Sequence, residues 1–150
     1  MANLDFKKDL TLGNEGEKLI INFLQNRGCK YIDSNYDNKW DVKMVVKGKE
    51  TTYEIKTDVK CAPLFDTGNL FIEYSSRGKL SGIAITQADW FVNYFPFLNE
   101  AWFIKSNKLK KLIKDNEFPT FKDAGDINSS THGYLINREK FRSFFYVTKI

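Results

Sequence analysis

Three side chains of this 150-residue sequence have types and spacing that could do chemistry together: Asp41, Glu54 and Lys56. They lie in two stretches, Trp40 to Lys47 and Thr51 to Lys60, that alternate apolar with polar residues. That is the two-residue period of a half-buried strand. Gly48-Lys49 between them reads as a two-residue turn, with Gly48 free to adopt positive φ. In the resulting β-hairpin Lys47 faces Glu50, Val42 faces Ile55, and Asp41 faces Lys56. One face then carries Trp40, Val42, Met44, Val46, Tyr53, Ile55 and Val59. The other carries Asp41, Lys43, Glu54, Lys56, Asp58 and Lys60. A loop of any even length preserves that division, and a slip of one residue destroys it.

Two carboxylates within reach of one another make a hard, oxygen-rich site of the kind that Mg²⁺ or Mn²⁺ takes. A lysine beside it can hold or deprotonate a water for attack on a phosphodiester, while the metal neutralises charge on the phosphate oxygens. The plainer alternative is a solvated sheet face laced with cross-strand ion pairs.

Asp41 followed by Glu54-Ile55-Lys56 on the next strand resembles the core of the PD-(D/E)XK nuclease superfamily, with Trp40 where the motif's name has proline. The resemblance implies an α/β (α+β), restriction-endonuclease-like αβββαβ core, a mixed central sheet flanked by helices. Asp41, Glu54 and the Ile55 carbonyl would ligate Mg²⁺, with Mn²⁺ able to substitute, and Lys56 would orient or activate the attacking water.

That reading needs an acid-bearing helix before the hairpin. Leu19, Ile20, Phe23 and Leu24 form a helical stripe ending near Gly28, with Asn14 as the predicted N-cap. Glu15 and Glu17 then fall in the first turn, where the helix dipole alone accounts for negative charge. Gly13-x-x-Gly16-Glu17 also resembles the helix start of Holliday-junction-resolvase-like members, which would make Glu17 a support of the metal. Gly16 would let the helix approach the sheet closely.

Further elements follow in order. Lys30 to Asp33 reads as a short strand and Leu70 to Tyr74 as another. Ser75 to Gly82 reads as a loop whose hydroxyls, glycines, Arg77 and Lys79 suit phosphate contact. Thr86 to Phe95, with a Thr cap and Pro96 after it, reads as a second helix. Gln87 there matches the polar position that points to the metal site in phage-type relatives. Ala101 to Lys105 is the last buried strand, and Ser106 to Lys114 a basic amphipathic helix with Leu109, Leu112 and Ile113 inward. Residues 115–132 read as an irregular connection, Gly133 to Ile136 as a strand, and Arg138 to Phe145 as a closing helix.

Composition bounds the rest. Hydrophobic residues make up 42% of the chain and aromatic residues 15%, enough for one domain over residues 1–150 with an aromatic core. No signal-like or membrane-spanning run is present, and Cys29 and Cys61 have no metal-like spacing with His132, so a cytoplasmic protein with reduced thiols is expected. Residues 1–75 carry a net charge of −1 and residues 76–150 of +5, as suits an acidic metal site beside a basic surface. The expectation is a metal-dependent DNA endonuclease, structure-selective for branched DNA. Lys60, Arg77, Lys79 and Gln87 would contact DNA, and a homodimer is implied by resolvase-like relatives, where two symmetric nicks need two sites. The rival is a catalytically silent nucleic-acid-binding or protein-interaction module on the same fold, which metal dependence would separate from it.

Overall fold

The computed structural model describes residues 2–35, 39–58, 65–122 and 130–150, with side chains from residue 14 onward. Helix α1 (Ala2–Asn26) opens the chain. Strands β1 (Lys30–Ser34), β2 (Val42–Val46) and β3 (Lys49–Thr57) follow as an antiparallel meander. Strand β4 (Asn69–Ser76) and strand β5 (Lys79–Leu80) form a hairpin of their own. The chain then returns through a 3₁₀ turn, Gly82–Ala84, to β6 (Trp90–Phe95) and β7 (Glu100–Lys105). Helix α2 (Ser106–Asp115), strands β8 (Thr120–Lys122) and β9 (Thr131–Asn137), the short α3 (Arg138–Phe141) and strand β10 (Tyr146–Lys149) complete it.

Two sheets result. The central one has the order β1-β2-β3-β6-β7-β10, and the smaller one the order β5-β4-β9-β8. The β3–β6 pair is parallel and every other pair is antiparallel. A parallel pair requires a crossover, and the chain between β3 and β6 carries β4 and β5, which build one side of the smaller sheet.

The mixed central sheet has the predicted restriction-endonuclease-like character, but the second helix is absent: Trp90–Phe95 is a strand. The physical reason is burial on both faces. Val92 and Tyr94 pack with Ile20, Leu24, Val42, Met44, Tyr53 and Ile55 on the α1 side. Phe91 and Phe95 pack on the other side with Leu70, Ile72, Trp102, Ile104 and Ile136. A strand covered on both faces loses its alternation and reads in sequence like a buried helix.

Other differences are local. Helix α1 starts twelve or more residues before the expected cap at Asn14, so Glu17 sits in its interior and the dipole no longer accounts for it. Residues 75–82 hold a β-hairpin turn rather than an open loop, with Arg77 and Gly78 both at positive φ. The closing helix shrinks to α3 and a 3₁₀ turn, and β10 joins the central sheet beyond it. Helix α2 behaves as expected, with Leu109 and Leu112 buried. No helix among the described residues is long and apolar enough to cross a membrane.

Candidate active site

The hairpin turn is Lys47-Gly48, with φ of 51° and 78°. Positive φ at both central residues is the type I′ requirement, and it suits the twist of the strands. Val46 therefore pairs with Lys49 and Val42 with Tyr53. The predicted turn lay one residue further on, so the expected match of Val42 to Ile55 and of Asp41 to Lys56 is corrected by two residues. A shift of two keeps side chains on their faces. Val42 and Met44 go to the core with Tyr53 and Ile55, as predicted.

Asp41 sits where the β2 arm leaves the regular ladder. Its N–H reaches the Tyr53 carbonyl at 2.9 Å, although Tyr53 is already the pairing partner of Val42. Two successive residues matched to one bend a strand and re-aim a side chain, as at a β-bulge. The Asp41 carboxylate thereby accepts the Ile55 N–H at Oδ2, 2.7 Å away. That bond closes the end of the ladder and fixes Asp41 against the segment that carries Glu54 and Lys56.

Glu54 is 8% exposed. One oxygen, Oε1, is 3.3 Å from Lys56 Nζ, and Oε2 is 3.4 Å from Thr86 Oγ1. The Thr86 hydroxyl stands equally close to the Lys39 carbonyl, and its oxygen accepts the Ala88 N–H at 3.2 Å. The side chain next to Gln87 thus touches the site. Gln87 itself is exposed, in the turn before β6, with its N–H donated to Lys39. Thr86 is the residue that sequence reasoning missed, although its place beside a matched position was a usable signal.

Glu17 reaches the same place from α1. Gly16, buried beside it, packs directly on Thr57 at the end of β3. This is the close approach expected of that glycine. Burial, the Asp41 carboxylate and the Glu54 carboxylate together push Glu17 up to about 7, with Lys56 working against them. Burial likewise raises Asp41, against the pull of the Ile55 N–H and Lys56. Burial raises Glu54 too, opposed by Lys56 and reinforced by Asp41. For Lys56, burial pulls downward but is outweighed by Glu54, Glu73 and Asp41, so its ammonium is held more firmly than usual. Glu73 of β4 is thus part of the field at Lys56. Its carboxylate is held by the Ser81 hydroxyl at 2.8 Å.

Four predicted residues, Glu17, Asp41, Glu54 and Lys56, therefore converge from two elements and the turn between β1 and β2. Arg77 and Lys79 are exposed at the tip of the β4–β5 hairpin, with no hydrogen bond or ion pair to those four among the described residues. Lys60 lies outside the described residues, as does Cys61. No three His, Cys, Asp or Glu side chains among the described residues stand at metal-ligand spacing. Asp41 and Glu54 are two such donors, and a third protein oxygen would have to come from the backbone.

No protein-family model matches the chain. It is similar to a UPF0102 protein of Thermodesulfovibrio yellowstonii, 22% identical over 104 residues that cover 69% of this chain and 93% of that protein. Among solved structures it is similar to the bacterial homing endonuclease I-Ssp6803I, with a TM-score of 0.51 and 16% identity. The match covers 65% of this chain and 68% of that one. The fold is restriction-endonuclease-like. The parallel β3–β6 pair and the β2–β3 hairpin lie in the middle of the central sheet, and the hairpin carries Glu54 and Lys56 with Asp41 at its open end. Among the described residues, the crossover between β3 and β6 is built from strands and a 3₁₀ turn where the αβββαβ pattern has a helix.

Proposed function

We propose that the protein is a divalent-metal-dependent endonuclease that hydrolyses DNA phosphodiester bonds. The observation that carries this reading is an imbalance of charge. Three carboxylates, Glu17, Asp41 and Glu54, are raised by burial, Glu17 and Glu54 also by neighbouring carboxylates, and among the described residues the cation paired with Glu54 is Lys56. Buried like charges are unfavourable without a compensating cation. The donors are hard oxygens, which fits Mg²⁺ or Mn²⁺ and not a softer metal.

Asp41 and Glu54 would hold the ion, with the Ile55 carbonyl as the backbone ligand. When bound, such an ion neutralises charge on the phosphate oxygens and acidifies its water. The chain's own groups do the rest. The Asp41–Ile55 bond keeps one ligand pointed at the other. Lys56, with its side chain 38% exposed, keeps its ammonium and donates hydrogen bonds to the attacking water or the phosphate. Glu17, pushed up to about 7 by burial and the neighbouring carboxylates, can exchange a proton with water in the site. The basic second half of the chain supplies phosphate contacts, for which Arg77, Lys79 and Gln87 are exposed.

The test is cleavage of labelled four-way junction, flap, duplex and single-stranded DNA in Mg²⁺, Mn²⁺ or EDTA, with wild type beside Glu54→Gln and Lys56→Met. Metal-dependent cutting that both variants lose by at least about 100-fold supports the assignment. Binding without cutting, indifferent to metal and to Glu54→Gln, would leave a silent DNA-binding module. Preference for the junction, with two nicks by a dimer, would establish the resolvase-like form.

A further inference from the structure

Between the two sheets opens a cleft of about 440 Å³, and Lys56 lines it as well as the carboxylate cluster. That volume lies within the range of small-molecule sites, roughly 300–1,000 Å³. Its floor includes Asn93 of β6, the pairing neighbour of Lys56 across the parallel ladder. Asn93 is 3% exposed. Its Nδ2 donates to the Phe71 carbonyl at 3.4 Å, and its Oδ1 has no partner among the described residues. The amide cannot be turned round without setting two oxygens against each other, so the orphan is an acceptor. A buried acceptor without a donor costs free energy that an N–H from an entering group would recover.

The walls say what kind of group that is. Phe71 and Phe121 meet edge to face at 6.2 Å, and Phe121 and Phe65 are 49% and 77% exposed at the cleft. Planar aromatic surface of this kind stacks a nucleobase whatever its identity. We propose that this cleft receives the base of the nucleotide attached to the scissile phosphate, its edge toward Asn93 and its face against Phe71, Phe121 and Phe65. The proposal rests on the nuclease reading, because it places a phosphodiester at Lys56. A base inside a duplex cannot enter an inter-sheet cleft, so the substrate is unpaired there or the base is extruded.

The experiment uses single-stranded 12-nucleotide oligonucleotides with one abasic position moved along the strand, binding measured with Ca²⁺ in place of Mg²⁺ and cleavage mapped with Mg²⁺ or Mn²⁺. One abasic position, next to the cleavage point, weakens binding by about tenfold. Phe121→Ala and Phe65→Ala, both exposed positions, weaken the intact strand to a similar degree and the abasic strand no further. Equal binding at every abasic position, or variants that weaken intact and abasic strands equally, overturns the proposal. Cleavage that is indifferent to abasic position sinks the base site alone. Abasic-sensitive binding without cleavage in any metal sinks the nuclease reading and leaves the base site standing.

Discussion

Gly16 of α1 and Thr57 of β3 are in such close contact that a Cβ on residue 16 would fall 2.1 Å from Thr57 Oγ1. Each stands beside a residue of the site, Glu17 and Lys56. The absence of one methyl group therefore sets the distance between the helix acid and the strand that carries the lysine.

Gly16→Ala should destabilise the fold. An alanine gains about 1 kcal/mol of helix propensity over glycine, but overpacking of this kind costs roughly 1–3 kcal/mol and the clash here is severe. The expected result is a melting temperature lowered by several degrees and a weakened metal response, because Glu17 moves with the helix. Thr57→Ala removes the clashing oxygen. That oxygen is buried without a hydrogen-bond partner among the described residues, so its loss alone is nearly neutral. The double variant should recover both stability and metal response. A Gly16→Ala protein as stable as wild type would show that the helix position is not set by this contact.

The clustering of the candidate residues was legible in the sequence, for a physical reason. Asp41, Glu54 and Lys56 sit on strands with one face in the core, where alternation survives, and an even error in register left them on the right side. The turn was misplaced because Lys47 adopts a positive φ that its side chain gives no hint of. Trp90 to Phe95 was misread because both of its faces are buried. Thr86 looked like a helix cap and does bond the Ala88 N–H as a cap would, but a strand follows. Glu73 acts on Lys56 through its charge from the other sheet, an influence that no local pattern encodes.

Asp41 separates the two uses of a carboxylate. Asp41→Asn keeps an oxygen for the Ile55 N–H and removes a charge that burial disfavours. It should melt at or above wild type at pH 8 in EDTA while losing metal-dependent cleavage. Asp41→Ala also loses cleavage but strands the Ile55 N–H, a penalty of about 1–3 kcal/mol. Thermal melts beside cleavage assays distinguish the two, and equal destabilisation by Asn and Ala would refute the role given to this bond.

Thr86 should act on the site through Glu54 alone. Thr86→Val keeps the shape of the side chain and removes the hydroxyl that faces Glu54 Oε2. The expected effect is a weaker apparent Mg²⁺ affinity, by about 10-fold as for partners that orient a metal ligand, with the cleavage rate at saturating metal little changed. Thr86→Ser, which retains the oxygen, should restore the affinity. A fall in saturated rate with unchanged metal affinity would place Thr86 in a different role.

The three acids also predict how stability varies with pH. Glu17 rises from 4.5 to about 7 on folding, and Asp41 and Glu54 are raised as well. Between the unfolded and folded values the native protein retains protons that the unfolded chain has released. The slope of unfolding free energy against pH is then negative, so stability present near pH 4.5 is lost as pH rises towards 7. Lys56 does not reverse this, because its own raised value lies above neutral pH and its contribution is lost only at strongly alkaline pH. In EDTA the melting temperature should therefore fall from pH 5 to pH 8. Saturating Mg²⁺ or Mn²⁺ should raise it more at pH 8 than at pH 5, since the ion binds the deprotonated carboxylates and competes with protons for them. Glu17→Gln should flatten the EDTA profile above pH 5 by removing one of the three titrations. A profile that rises with pH in EDTA, or a metal-induced shift that is larger at pH 5, would mean that these carboxylates are not the crowded, cation-seeking cluster that the geometry describes.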